Sequence, residues 1–410
     1  MHLLLFLFLT SAFTPLDLSV SAKSAILMEG ETGQVLWEKS SLEPTYPASI
    51  TKILTALMAI ESKGESLEEM VVAPRECLGS ITPAEKVRAG YKHPSHWIEV
   101  ASSHVGLKVG EELSWETLFH AVMLESANDA SNVMAHYVAG DIPTFVEGMN
   151  IRAAQLGCQK THFTNPHGLH HPDHVTCAYD MALMTREALK HPLFRKLTKT
   201  ARWKKGATNK QEGTIWLQHN QLVVPGKKFY YPKAIGVKTG GTTAAKATLV
   251  GAAEWEGREL IAVVMGCASF PAAYADVISL FEAAFNESKV QQCLLRRGSQ
   301  AYTLPIPGRR KPLSTCTRED LVIEYRPSIH PDHHLFVSWW AVEPPIQPGE
   351  QIGEVQALSG AGELLTSVPL LAERGVREGG SSETGKGVAV ASCALLFIGL
   401  ALFQKRRKKR

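Results

Sequence analysis

Between residues 24 and 286 the apolar residues change their spacing twice, and this order constrains the fold more than any other feature of the chain. Residues 24–28 and 34–38 are apolar-rich runs joined through Glu31-Thr32-Gly33, which predicts a hairpin. Residues 50–60 carry apolar side chains at 50, 53, 54, 57 and 60, the single stripe of a core-facing helix. Two more helices are expected over 115–124 and 128–138, with Ser126-Ala127 between them. Residues 247–253 and 259–266 are β-rich runs joined by 254–258, a second hairpin, and a helix over 272–285 closes the region. Strands first, helices in the middle and strands last predict an α+β fold, an antiparallel sheet flanked by helices.

From about residue 287 the helical period disappears. Short strands are expected over 301–306, 321–326, 335–342, 351–358 and 363–369, punctuated by Pro, Gly and Asp at the spacing of a small sandwich. Residues 287–372 therefore read as a separate, small all-β domain after a 23–286 domain. Residues 373–386, rich in Gly, Ser and Glu, read as a linker.

The two ends point to export and anchoring. Residues 1–22 combine an unbroken apolar run, Leu3 to Phe8, with the small residues Val20-Ser21-Ala22, the pattern of a signal peptide. Residues 387–403 hold no charge, enough for a short transmembrane helix, and the tail 404–410 ends in six consecutive Lys or Arg residues. Cations stay on the cytoplasmic side, so the expected protein is single-pass in the cytoplasmic membrane, with its body on the extracytoplasmic, periplasmic side. Those six charges exceed the net charge of +3, so the rest of the chain is acidic overall and offers nothing to nucleic acid. A composition of 45% hydrophobic and 20% charged residues excludes a disordered chain and a polytopic membrane protein.

Seven cysteines show no metal-knuckle or CxxC spacing, and Cys393 lies in the apolar stretch. Mostly free, buried thiols are expected, with Cys293 and Cys316 the first pair to consider for a disulfide. His167, His170, His171 and His174 crowd one loop and His330, His333 and His334 another, but no carboxylate–histidine helix motif accompanies them. Neither a metal nor a cofactor is expected.

Three short motifs remain, each weak alone. Ser49-Ile50-Thr51-Lys52 opens the first helix, and a serine and a lysine three apart share one helix face. A neutral lysine can take the serine proton if burial and nearby cations depress its pKa. The bland alternative is a capping serine with a solvated lysine. Ser126-Ala127-Asn128 places a hydroxyl and an amide in a turn, where either could simply cap the next helix. Lys238-Thr239-Gly240 precedes the 247–253 run; it can bind a carboxylate and, with Gly241, admit a substrate backbone closely, or it is a surface turn.

In the order SxxK, SxN, KTG the set resembles the penicillin-binding proteins and serine β-lactamases. The surrounding words, Tyr46-Pro47-Ala48-Ser49-Ile50-Thr51-Lys52, Ser126-Ala127-Asn128-Asp129-Ala130, Thr164-Asn165-Pro166-His167-Gly168-Leu169 and Gly236-Val237-Lys238-Thr239-Gly240, are similar to the D-alanyl-D-alanine carboxypeptidases of peptidase family S11. The resemblance covers about residues 24–286, with the β domain and anchor similar in layout. It implies a β-lactamase/DD-peptidase-like fold and a site without metal or cofactor. It further implies Ser49 as nucleophile, Lys52 as its base, Ser126 as proton relay, Asn128 as amide binder, and Lys238 and Thr239 as carboxylate binders. Backbone N–H groups of Ser49 and Gly241 would form the oxyanion hole, with Gly240 giving room. The implied partners are peptidoglycan stem peptides, β-lactam antibiotics and the membrane.

The sequence also departs from that pattern. Residues 267–273 lack the arginine that members often carry there, Lys246 stands where a small residue is usual, and 81–100 looks like an added loop. A β-lactamase would need a deacylating carboxylate of ExxxN type, which is not found. A DD-transpeptidase or endopeptidase differs only in the acceptor or the bond cut, and a non-catalytic tethered binding protein would not need every motif intact.

Overall fold

The computed structural model describes residues 9–10, 16–64, 66–329, 332–360 and 362–378. They fall into two compact units, one comprising the described residues up to 292 together with those of 323–334 and 358–363, the other 293–322, 335–357 and 364–378.

The first unit is built on a five-stranded antiparallel sheet of β1 (Ser24–Glu29), β2 (Val35–Lys39), β3 (Ala234–Thr242), β4 (Lys246–Trp255) and β5 (Arg258–Cys267). The order is β3-β4-β5-β1-β2, so the first strand pairs with the last, Leu260 opposite Glu29 and Ile261 opposite Met28. Both faces of this sheet are covered. In β1, Ile26 and Met28 enter one core while Ala25 and Leu27 enter the other, the alternation that a strand imposes. β5 repeats it, with Ile261, Val263 and Met265 on one side and Leu260, Ala262 and Val264 on the other. Such strands read as continuous apolar runs because neither face meets water.

The larger core holds the helices α1 (Lys52–Lys63), α3 (Trp115–Met123), α4 (Asn128–Ala139), α5 (Ile142–Gln155), α6 (Ala178–Leu189) and α7 (Pro192–Lys199). Ile53, Leu54, Leu57 and Ile60 of α1 are all buried there, the stripe expected from their spacing. Each such fully buried large side chain contributes roughly 1.5–3 kcal/mol. α8 (Phe270–Phe285) covers the opposite face through Tyr274, Val277, Leu280 and Phe281, with the Ser269 hydroxyl capping its start.

The expected hairpins and helices form, and 81–100 is an ordered excursion. Its helix α2 (Pro83–Arg88) starts at a Thr82–Glu85 capping box, and the buried Lys86 pairs with Glu99 at 3.0 Å. The 238–240 motif lies inside strand β3, not in a turn ahead of a strand.

Residues 20–22, which the sequence reads as the end of a leader, belong to the packed body. Val20 and Ala22 are buried, and Asp276 of α8 accepts from the backbone N–H of Ser21 (3.0 Å) and of Ala22 (2.9 Å). Lys39 Nζ donates to the carbonyls of Val20 and Ala22.

A second sheet, most of whose residues belong to the second unit, has β6 (Gly298–Leu304), β7 (Leu313–Thr317), β8 (Asp332–Trp339), β9 (Gln351–Ser359) and β10 (Leu364–Ala372) in the order β8-β9-β10-β7-β6. Ile306, Leu313, Ile346, Ile352 and Ala372 form its small core. The strands 313–317 and 290–295 lie outside those expected from the sequence. All six described cysteines are free, Cys293 and Cys316 included. Burial pushes the Cys77, Cys177 and Cys267 thiols up to about 12. No helix among the described residues is long and apolar enough to cross a membrane. The 387–403 stretch and the basic tail lie outside the described residues, as does most of the apolar N-terminal run.

Candidate active site

The three motifs converge on one cleft. Ser49 sits in a 3₁₀ turn, Ala48–Thr51, that runs directly into α1. This turn is forced into place from two sides. Ala48 has φ +53, and Gly168 (φ +90) packs so closely that a Cβ on it would lie 1.9 Å from the Ala48 carbonyl oxygen. On the other side, a Cβ at Gly240 would fall 2.8 Å from the Ser49 backbone nitrogen. Thr248 of β4 ties both together, donating its one hydroxyl hydrogen between the carbonyls of Pro47 (2.9 Å) and Gly240 (3.0 Å). Only glycine at 168 and 240 allows that approach.

Lys52, the first residue of α1 and one turn after Ser49, is fully buried, so the reading of a solvated lysine fails. Its Nζ lies 3.1 Å from Ser49 Oγ, 2.7 Å from Asn128 Oδ1 and 2.7 Å from the His167 carbonyl oxygen. Burial, reinforced by the charge of Lys238 and partly opposed by Asp129, holds its pKa well below the ordinary lysine range. In the neutral amine two N–H bonds remain. The Asn128 and His167 oxygens can only accept, so they take both, and the nitrogen lone pair is left facing Ser49.

The segment 164–169 supports this arrangement. Leu169 N–H donates to His167 Nδ1 (3.1 Å), so Nε2 carries the His167 proton and donates it to the His96 carbonyl (3.1 Å). Thr164 N–H likewise donates to His174 Nδ1, which places the His174 proton on Nε2, 2.9 Å from Thr51 Oγ1. Burial holds His167 well below its usual range and His174 down to about 3, so both rings are neutral struts. The excursion 81–100 reaches this segment through Ser95, whose hydroxyl donates to the Thr164 carbonyl.

Ser126 precedes α4 in the left-handed region, φ +58, and neither it nor Asn128 caps the helix; Ala127 occupies the N-cap position. Ser126 Oγ is buried and makes no hydrogen bond with the described residues. A strained serine with an unspent hydroxyl at a cleft is poised for a ligand. Asn128 is fixed by donating its amide to Ser102 Oγ (2.9 Å). The neighbouring Asp129 accepts from the N–H groups of Val105 and Leu107 and so holds the 103–107 wall.

Lys238 lies on β3, buried, with its pKa lowered to about 7 by burial against a partly compensating Glu125. The cleft has a volume of about 790 Å³ and takes in Ser49, Ser126, Thr239, Gly240 and Gly241. Ala268, Ser269 and Phe270 face it where the resemblance leads one to expect an arginine, and no Asp or Glu is among the described residues that line it. Glu125, which flanks Ser126, and His219 on the cleft wall (3.6 Å from Glu125) are site residues the motifs did not single out. Glu125 stands next to a motif residue and was findable; His219 carries no local signal.

Comparison with known proteins gives the family. The family model for D-alanyl-D-alanine carboxypeptidases, peptidase family S11, matches residues 10–269. The D-alanyl-D-alanine carboxypeptidase DacF of Bacillus subtilis is 30% identical over 389 residues, 92% of this chain and 93% of that protein. The crystal structure of a Streptomyces DD-transpeptidase is 26% identical, with a TM-score of 0.56 over 66% of this chain and 99% of its own. The D-alanyl-D-alanine carboxypeptidase DacD of Francisella tularensis shares the fold, with a TM-score of 0.60 over 89% of this chain and 96% of its own at 21% identity. The family match extends from the edge of the packed N-terminal segment to the far wall of the cleft, and the chain belongs to peptidase family S11, the D-alanyl-D-alanine carboxypeptidases.

Proposed function

We propose that Ser49 is the nucleophile of this serine-type D-alanyl-D-alanine carboxypeptidase and that Lys52 is the base that activates it. The observation that carries this reading is the placement of Lys52 Nζ against Ser49 Oγ with two obligate acceptors occupying its remaining hydrogens. Ser49 Oγ attacks the carbonyl carbon between the two D-alanines of a peptidoglycan stem peptide while Lys52 takes the hydroxyl proton. The oxyanion forms between the N–H groups of Ser49 and Gly241 at the start of α1. Ser126 passes a proton to the departing nitrogen, and free D-alanine leaves. Asn128 holds the substrate amide, and Lys238 with Thr239 holds the terminal carboxylate beside Gly240. Water, activated by Lys52, then attacks the ester and restores Ser49. β-Lactams acylate the same serine. Incubating the full chain in detergent with a D-Ala-D-Ala peptide tests this: D-alanine should be released, and Ser49→Ala should release none.

We propose further that the enzyme is anchored on the outer side of the cytoplasmic membrane. Residues 387–403 span the bilayer, 404–410 remain in the cytoplasm, and 287–372 with the linker 373–386 hold the catalytic domain, 23–286, on the cell-wall side. The uncharged stretch followed by six cations supports this. We propose that the leader is cut ahead of Val20, so that the exported body begins before residue 23, because a cut after Ala22 would strip Asp276 of its partners at Ser21 and Ala22. Protease added to spheroplasts should digest the body and spare the tail; a tail open to protease would reverse the orientation.

A further inference from the structure

Ser49 sits against Gly240, and the proposed carboxylate site at Lys238 and Thr239 lies on one side of that point along β3. A peptide with its scissile carbonyl at Ser49 and its terminal carboxylate at 238–239 must run the other way with its acyl portion, along Gly241 and Thr242. Lys246 stands there. It is the residue opposite Thr242 in the β3–β4 register, three positions and about 10 Å beyond Thr239 along the strand. It lines the same cleft and is exposed. Among the described residues nothing hydrogen-bonds to or ion-pairs with its ammonium group.

Its backbone adds a second observation. Lys246 has φ +57, a left-handed conformation in which glycine fits without strain, yet the position carries a long cation. The other basic side chain among the described lining residues, His219, is less cationic, held below its usual range by burial and by Lys238. Lys246 is thus an unpaired ammonium at the end of the cleft where the acyl chain passes, and no acid competes for it among the lining residues.

We propose that Lys246 is a specificity-determining residue that pairs with a second, free carboxylate on the substrate, borne by the residue immediately before the D-alanyl-D-alanine pair. This rests on the carboxypeptidase reading. The favoured substrate is a stem peptide whose third residue is a diamino diacid with its side-chain carboxylate free; the carboxamide of that residue loses the pairing, and a residue ending in an amine alone adds a like charge. Lys246 recognises and takes no part in bond making.

The test uses the full chain in detergent and two peptides that differ only in that carboxylate, a diaminopimelyl-D-Ala-D-Ala peptide as free acid and as carboxamide. The unmodified protein should favour the free acid by about fivefold in kcat/KM, the scale of a solvent-exposed ion pair. Lys246→Gly, which suits the left-handed backbone, should bring the free acid down to the carboxamide; Lys246→Arg should keep the preference and Lys246→Glu invert it. Raised salt should shrink it. An acid preference that survives in Lys246→Gly, equal rates on both peptides in the unmodified protein, or an equal loss on both in the variant overturns the assignment of Lys246 while leaving the carboxypeptidase reading intact. No D-alanine from either peptide overturns both.

Discussion

Lys52 and Lys238 are buried in the same site, and the charge of Lys238 adds to burial in depressing the pKa of Lys52. The two lysines come from opposite ends of the domain, one at the head of α1 and one on β3, and their effects are of opposite use. In the proposed mechanism a depressed Lys52 serves as the base, while a charged Lys238 anchors the carboxylate and reinforces the burial that lowers the Lys52 pKa.

Removing the base should therefore abolish chemistry more than binding. Lys52→Ala is expected to slow acylation by a β-lactam about 10²–10⁴-fold. Stopped-flow or quenched-flow acylation rates with the full chain check this, and a variant that acylates at the normal rate would remove Lys52 from the mechanism.

Lys238 makes the response depend on the ligand. Lys238→Ala should weaken ligands that bear the terminal carboxylate and spare acylating esters that lack it. The pH dependence has the same origin. The free-enzyme pKa of Lys238 is lowered to about 7, so its charge is present below that pH and fades as pH rises through it. The advantage in kcat/KM of carboxylate-bearing over carboxylate-free ligands should accordingly decline from pH 6 to pH 8, ~1 unit either side of that value. A ratio that is flat across this window, or that rises, contradicts the assignment.

Much of this was legible beforehand because the motifs are local. Ser49 and Lys52 share a helix face and Ser126 and Asn128 share a turn, but each pair is weak alone, and their order with Lys238-Thr239-Gly240, through the resemblance it carries, proposes them as one site. The strand carrying Lys238 was harder, since Gly236, Gly240 and Gly241 lower its β signal and are there for close approach, not for propensity. The packing of residues 20–22 was invisible for a different reason. Small and apolar residues suit both a cleavage site and a buried segment, and the residue they pack on, Asp276, lies on α8 at the other end of the domain. The roles of His167 and His174 as neutral struts likewise depend on contacts far apart in sequence, which a crowd of histidines in one loop does not reveal.

The contact between Gly168 and Ala48 offers a test of how the nucleophile is held. Gly168→Ala adds a methyl 1.9 Å from the Ala48 oxygen and sets a non-glycine residue at φ +90. It should destabilise the protein by ~2–5 kcal/mol, combining backbone strain with overpacking. Thermal unfolding should show the loss, and acylation of Ser49 should slow in the fraction that remains folded. A variant as stable and as reactive as the parent would mean that the turn bearing Ser49 is not positioned by the 164–169 segment.

The central claim is that Ser49 forms the acyl-enzyme and that no carboxylate of the cleft hurries its hydrolysis. Mass spectrometry of the full chain after brief exposure to a β-lactam, followed by peptide mapping, tests it most directly. The expected result is one adduct per chain, on the peptide containing Ser49, lost slowly after the drug is removed. An adduct on any other residue, or rapid turnover of the drug with no adduct, would contradict the account.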